Sequence, residues 1–186
     1  RDSRQLGLKM GYDFTRLLSE VNIDSNNNLC YPKQMAYHIY ELFYTRYSLH
    51  KQIYNHKTSK IVEFMYADII KLIDSIFKIT QSIENMDDFC RLTDSSIPNF
   101  VLIANNPPPG MTFQLTSDQK KNLAKATTLL KRINERRLYK FIGEVINLPG
   151  VTIEKFLLTD PEINPEDIII SNNRIGFVSG KKKNPL

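Results

Sequence analysis

Between Pro32 and Ile76 the apolar residues keep helical spacing, and this run constrains the fold more than any other feature of the chain. Met35, Ile39, Leu42, Phe43, Leu49 and Ile53 form one set; Ile61, Val62, Met65, Ile69, Leu72, Ile73 and Ile76 form a second. Such a period lays each set along one face of an amphipathic helix. Pro32 suits the first turn of the first helix, which is predicted to run through Ile53. Thr58 and Ser59 cap or interrupt before the second helix begins. Asp68, Lys71 and Asp74 break the most apolar stretch, so the sequence offers no membrane span.

The flanking segments are also read mostly as helix. Asp13 can cap a short helix through Glu20, with Phe14, Leu17, Leu18 and Val21 as its apolar stripe. Residues 24–28 form a polar turn without apolar period. Met86 to Leu92 suggests one more short helix, and Thr116 or Ser117 starts a longer one carrying Leu123, Ala126, Leu130 and Ile133. Between them Pro107-Pro108-Pro109-Gly110 must be a surface loop, because three prolines remove backbone donors. After Arg137 the pattern changes. Residues 138–146, 167–170 and 175–178 alternate or cluster apolar residues as strands do. The fold class expected is therefore mainly α: a helical body over residues 1–137, then a smaller α+β region over 138–186. No internal repeat is visible.

Over 186 residues, 41% hydrophobic and 24% charged side chains suit a globular chain and argue against wholesale disorder. Two cysteines, Cys30 and Cys90, make no disulfide or metal framework, which fits a reducing compartment. The chain opens on Arg1 instead of Met and has no apolar signal core, so a piece of a longer intracellular protein, nuclear or cytoplasmic, is expected. The net charge of +5 is modest, but basic residues gather at 46–60, 120–140 and 181–183. Such clusters attract phosphates; they are equally what solvated helix faces carry for solubility.

The densest chemistry lies in the segment Glu41-Leu42-Phe43-Tyr44-Thr45-Arg46-Tyr47-Ser48-Leu49-His50-Lys51-Gln52-Ile53-Tyr54-Asn55-His56-Lys57. On a helix Arg46, His50 and Tyr54 stand at i, i+4 and i+8, on one face. A guanidinium, an imidazole and a phenol in a row can meet the phosphates, sugar and ring of a nucleotide. The same spacing also describes a half-buried polar face on which His and Tyr satisfy one another, and spacing alone leaves both open.

This segment resembles the YELFHTRxSLHxxxYQHK signature of the HD-superfamily deoxynucleoside triphosphate triphosphohydrolases, in particular the eukaryotic proteins with SAM and HD domains. The similarity extends to Arg1-Asp2, Leu6-Gly7 and Asp13-Phe14, to Leu92-Thr93-Asp94, to the Arg137–Glu144 stretch, and to Lys183-Asn184-Pro185-Leu186. It implies that Arg46 binds substrate phosphates and that His50 stands beside the scissile phosphate and sugar. It also implies that Tyr54 packs under the deoxyribose to exclude a 2′-hydroxyl, that Asp2 holds the sugar 3′-hydroxyl, and that Asn55 lies toward the base. A second set, Asp13, Arg16, His38, His56, Lys57 and Lys183, matches the family's regulatory nucleotide site. There GTP and dNTP binding joins subunits into an active dimer or tetramer.

Three positions depart from the family pattern. Asn55 replaces Gln, Pro32 stands where the family has an arginine, and His38 where it has an asparagine. The latter two bear on which nucleotide regulates. A larger departure concerns the metal. The resemblance implies a divalent ion that activates water for attack on the α-phosphorus, releasing deoxynucleoside and triphosphate from substrates such as dGTP. Its ligands include a His-Asp dipeptide, and the three histidines here are followed by Ile, Lys and Lys. The matching part of the family precedes Arg1, so this chain alone is expected neither to hold the metal nor to hydrolyse. The alternative is a non-catalytic module, a degenerate paralogue that binds nucleotide or nucleic acid.

Overall fold

Both long apolar-periodic stretches fold as helices, and the computed structural model is mainly α over the residues it describes, 2–9, 11–144 and 164–173. Contacts divide the chain into two units: Arg1–His56 with Gly143–Leu186, and Lys57–Ile142.

In the first unit α1 (Asp2–Gln5) precedes α2 (Phe14–Ser19). Asp13 caps α2 as its position predicts: its Oδ1 accepts from the backbone N–H of Thr15 at 2.9 Å and of Arg16 at 3.3 Å. The polar turn at 24–28 closes a small antiparallel hairpin, β1 (Asn22–Ile23) and β2 (Leu29–Cys30), in the register Asn22↔Cys30. Asp24 organises it by accepting from the backbone N–H of Asn26 and of Asn28, each at 2.8 Å. The long helix expected from Pro32 to Ile53 is three pieces. Lys33–Met35 is a 3₁₀ turn, α3 spans Ala36–Leu49, and His50–Tyr54 is a π-turn. Leu17 and Met35 are its buried apolar side chains among the described residues.

The second unit is built on α4 (Lys57–Phe77), followed by α5 (Ile79–Ser82), α6 (Met86–Phe89), α7 (Ser96–Asn105) and α8 (Ser117–Asn134). Ile69 and Ile73 of α4 pack with Val101 and Ala104 of α7 and with Leu123, Ala126 and Leu130 of α8. Ala126 is fully enclosed, a small residue that suits close approach of helices. Thr116 starts α8 with a capping box: its side chain accepts from the Gln119 N–H, and the Gln119 side chain accepts from the Thr116 N–H. In the proline loop the Met111 N–H donates to the Pro108 carbonyl at 3.0 Å. Gly110 takes φ +87° in that turn, a value side chains disfavour.

The strands expected after Arg137 are corrected where they can be seen. Residues 138–144 contain none, and their alternating side chains are used otherwise. The Tyr139 hydroxyl donates to Asp68 of α4 at 3.0 Å, Arg132 lies 5.5 Å over the Tyr139 ring, and Arg132 Nε donates to the Arg137 carbonyl at 3.1 Å. Without a neighbouring strand, alternation gives no ladder. At 167–170 the Pro165–Asp167 3₁₀ turn, capped by Asn164, replaces the start of the expected strand, and the remainder is irregular. The strand at 175–178 lies outside the described residues.

Burial, then the bond to Asp68, pushes the Tyr139 phenol up to about 12. A phenol whose value is raised on folding favours the protonated folded state below its unfolded value near 10. That contribution is lost as pH rises from about 10 to about 12. In a spectrophotometric titration of the nine tyrosines, Tyr139→Phe is therefore expected to remove the last-ionising phenol. Unchanged late ionisation in this variant would reject the assignment.

Candidate functional site

Arg46 occupies the last turn of α3, and its carbonyl accepts from the His50 N–H that continues the helix. An ideal α-helix drifts by about 40° at each i+4 step, which would leave Tyr54 about 80° away from Arg46. The π-turn changes this. The Asn55 N–H donates to the His50 carbonyl at 3.0 Å, an i→i+5 bond, and the wider turn offsets the drift. Asn55 clasps the same carbonyl a second time with its side-chain Nδ2 at 2.9 Å.

The sequence-predicted residues of the sugar end come together here. The His50 and Tyr54 rings meet edge to face with centroids 5.1 Å apart. The Tyr54 hydroxyl donates to Asp2 Oδ2 at 2.5 Å, joining residues 52 apart in sequence. That bond holds the Tyr54 phenol above its ordinary value. Tyr54 and His50 do not satisfy each other by hydrogen bonding: the polar tip of Tyr54 goes to the carboxylate.

Asp2 and Arg46 share a cavity of about 300 Å³, whose lining is completed by Ser3, Tyr12, Leu42, Thr45 and Leu49. Ser3 and Thr45 are buried hydroxyl side chains, only 4% and 7% exposed. A guanidinium with two hydroxyls offers donors to an anion, while Leu42 and Leu49 give apolar wall. The Ser3 and Thr45 contributions escaped the sequence reading, because neither hydroxyl stands out by charge or spacing. Gly11 lies against α3, where an added Cβ would meet the Glu41 carboxylate, the movable end of a flexible side chain.

The second predicted set is not gathered in this cavity. Asp13 is committed at least in part to capping α2, and Arg16 is exposed on that helix. His38 is half-buried on α3, edge-on to Tyr37, with Nδ1 enclosed and without a hydrogen-bond partner among the described residues. His56 is exposed. Lys57 belongs to the other unit, where its ammonium lies 5.3 Å over the Phe141 ring. Lys183 lies outside the described residues.

The implied divalent metal finds no fitting donor set here. Among the described residues no three His, Cys, Asp or Glu side chains gather to hold an ion, and no helix is long and apolar enough to cross a membrane.

The chain is similar in sequence to HD-domain proteins and to deoxynucleoside triphosphate triphosphohydrolases. The chain is 40% identical over its whole length to an HD domain-containing protein of Acanthamoeba polyphaga mimivirus, of which it spans 42%. It is 35% identical to the deoxynucleoside triphosphate triphosphohydrolase SAMHD1 homolog of Dictyostelium discoideum and 24% identical to SAMHD1 of Homo sapiens. It spans 34% and 32% of these proteins, again matching over its full length. No protein-family model matches the chain. Its similarity to the HD-superfamily dNTP triphosphohydrolases is therefore a whole-chain similarity to a portion of each relative.

Proposed function

We propose that this chain is the substrate-binding and regulatory portion of a dNTP triphosphohydrolase, with residues 1–137 as part of the HD-type helical catalytic domain. Residues 138–186 would begin the regulatory and oligomerisation region. The observation that carries the proposal is the Tyr54–Asp2 hydrogen bond beside the cavity holding Arg46, since these are the residues to which the resemblance gives sugar and phosphate. Arg46 would bind triphosphate oxygens through its planar fork, with Ser3 and Thr45 as added donors. His50 would stand beside the reacting phosphate and orient it, while the Arg46 guanidinium would favour developing negative charge. The divalent ion would supply the activated water in the complete enzyme, and no residue here is assigned to it. Asp13, Arg16, His38, His56, Lys57 and Lys183 would serve a regulatory GTP or dNTP at contacts between copies in a dimer or tetramer.

Ligand-observed NMR titration of the chain with dGTP and with inorganic triphosphate tests the phosphate assignment. Arg46→Ala is expected to weaken both by about tenfold or more, the worth of a charge-assisted bidentate contact. A Lys125→Ala control on the exposed face of α8 should leave both unchanged. Loss at Lys125 with retention at Arg46 would instead favour the general basic face, and with it the nucleic-acid-binding alternative. Helix α8 carries no aromatic side chain on which bases could stack, which counts against that alternative.

A further inference from the structure

We infer that Asn55 is a positioning residue: its side-chain amide locks the π-turn onto the His50 carbonyl and so holds the nucleoside end of the site independently of the phosphate end. The inference rests on the substrate proposal above. It gives Asn55 a duty other than the base-side contact that the resemblance implies.

The turn over His50–Tyr54 is wider than an α turn, and such turns are rare enough to need a local cause. Here the His50 carbonyl accepts twice from one residue. The Asn55 backbone N–H donates at 3.0 Å and its Nδ2 at 2.9 Å. A carbonyl oxygen has two lone pairs, so both bonds are made at once. Asn55 is half-buried, which strengthens the pair against competing water. Short polar side chains such as asparagine readily bond nearby backbone in this way. The glutamine of the family pattern is one methylene longer, so the exchange to Asn55 bears on backbone geometry.

The clasp acts on one end of the site only. Arg46 stands before the turn, in α3, whereas Tyr54 is the last residue of the turn itself. Because Tyr54 directly precedes Asn55, the two bonds to His50 fix the backbone that carries the Tyr54 ring. The His50 ring meets that ring edge to face, with centroids 5.1 Å apart. Releasing the clasp would let the turn relax toward α-helical spacing and rotate Tyr54 away from its place relative to Arg46. A bare triphosphate calls on the Arg46 end. A dNTP calls on both ends, whatever its base.

The experiment compares the unmodified chain with Asn55→Ala and with Asn55→Asp, which keeps the shape and loses the Nδ2 donor. Hydrogen exchange at the residue-55 amide, corrected for the intrinsic rate of each side chain, reads the turn. It is expected to quicken by about tenfold in both variants, the worth of one hydrogen bond. Ligand-observed NMR with dATP, dCTP, dGTP, dTTP and inorganic triphosphate reads the two ends. The four dNTPs should weaken alike, by about fivefold, while triphosphate holds. Weakening of triphosphate with the rest would make Asn55 a residue of the fold alone and overturn the positioning role. Loss confined to some bases would make it a base contact and overturn the role as well. Unchanged exchange, or unchanged dNTP affinity in Asn55→Asp, would overturn it too. All of these results leave the substrate proposal standing. Absence of dNTP binding to the unmodified chain would overturn both.

Discussion

Ile73→Ala is expected to destabilise the Lys57–Ile142 unit by about 2–5 kcal/mol, the usual cost of deleting a fully buried branched side chain and leaving a cavity. Ile73 is wholly enclosed in α4, within the cluster that also holds Val101, Ala104, Leu123, Ala126 and Leu130. These neighbours come from two other helices, α7 and α8, so none can move inward without disturbing its other contacts. Since a domain is stable by only about 5–15 kcal/mol, the loss is a large share of the total. Leu102, 56% exposed on α7, is the matched control, and Leu102→Ala should change stability by no more than about 0.5 kcal/mol. Urea denaturation followed by far-ultraviolet circular dichroism reads both. Equal losses at the two positions would mean that α4 is not packed as described.

The helices that could be read from sequence are those whose period and capping agree. α4 and α8 combine a long apolar stripe with a recognisable boundary, and α2 begins at the Asp13 cap its sequence suggests. α7 was not anticipated, although Ile97, Phe100, Val101 and Ala104 keep helical spacing. Pro98 falls in the first turn of α7, where its missing N–H has no intrahelical partner to lose. The strands failed for the converse reason. Alternation at 138–144 does not make a strand without a neighbouring backbone; Tyr139 instead bonds Asp68 of α4 and lies against Arg132 of α8.

At the site, the period spaces Arg46, His50 and Tyr54 four residues apart but does not foresee the π-turn over His50–Tyr54. That turn depends on Asn55 bonding the His50 carbonyl, a choice that apolar spacing does not encode. Asp2 was reachable only through the family resemblance, since no local pattern links it to a tyrosine 52 residues away. Ser3, Thr45 and the Gly11–Glu41 contact were invisible for the same reason: their significance comes from what the fold sets beside them.

Tyr54→Ala should separate sugar selection from phosphate affinity. If the Tyr54 ring occupies the space beside the sugar C2′, removing it opens room for a ribose hydroxyl. It also removes ring contact from both sugars, so affinity for dGTP and GTP should fall together. The diagnostic quantity is therefore the ratio of the two, read as binding constants on this chain or as kcat/KM on an active enzyme that carries it. Losing a shape-based block is worth about 1–3 kcal/mol, so the preference for dGTP should fall by about tenfold or more. Arg46→Ala gives the contrast: the triphosphate is common to both nucleotides, and their ratio should hold while both weaken. Both variants lose the Tyr54–Asp2 bond, and the alanine variant is the more drastic because it also empties the ring position. The phenylalanine variant is thus the internal reference: it should preserve the dGTP over GTP ratio that alanine destroys. A Tyr54→Ala variant that weakens both nucleotides equally would make Tyr54 a packing residue and reject its role as the steric gate.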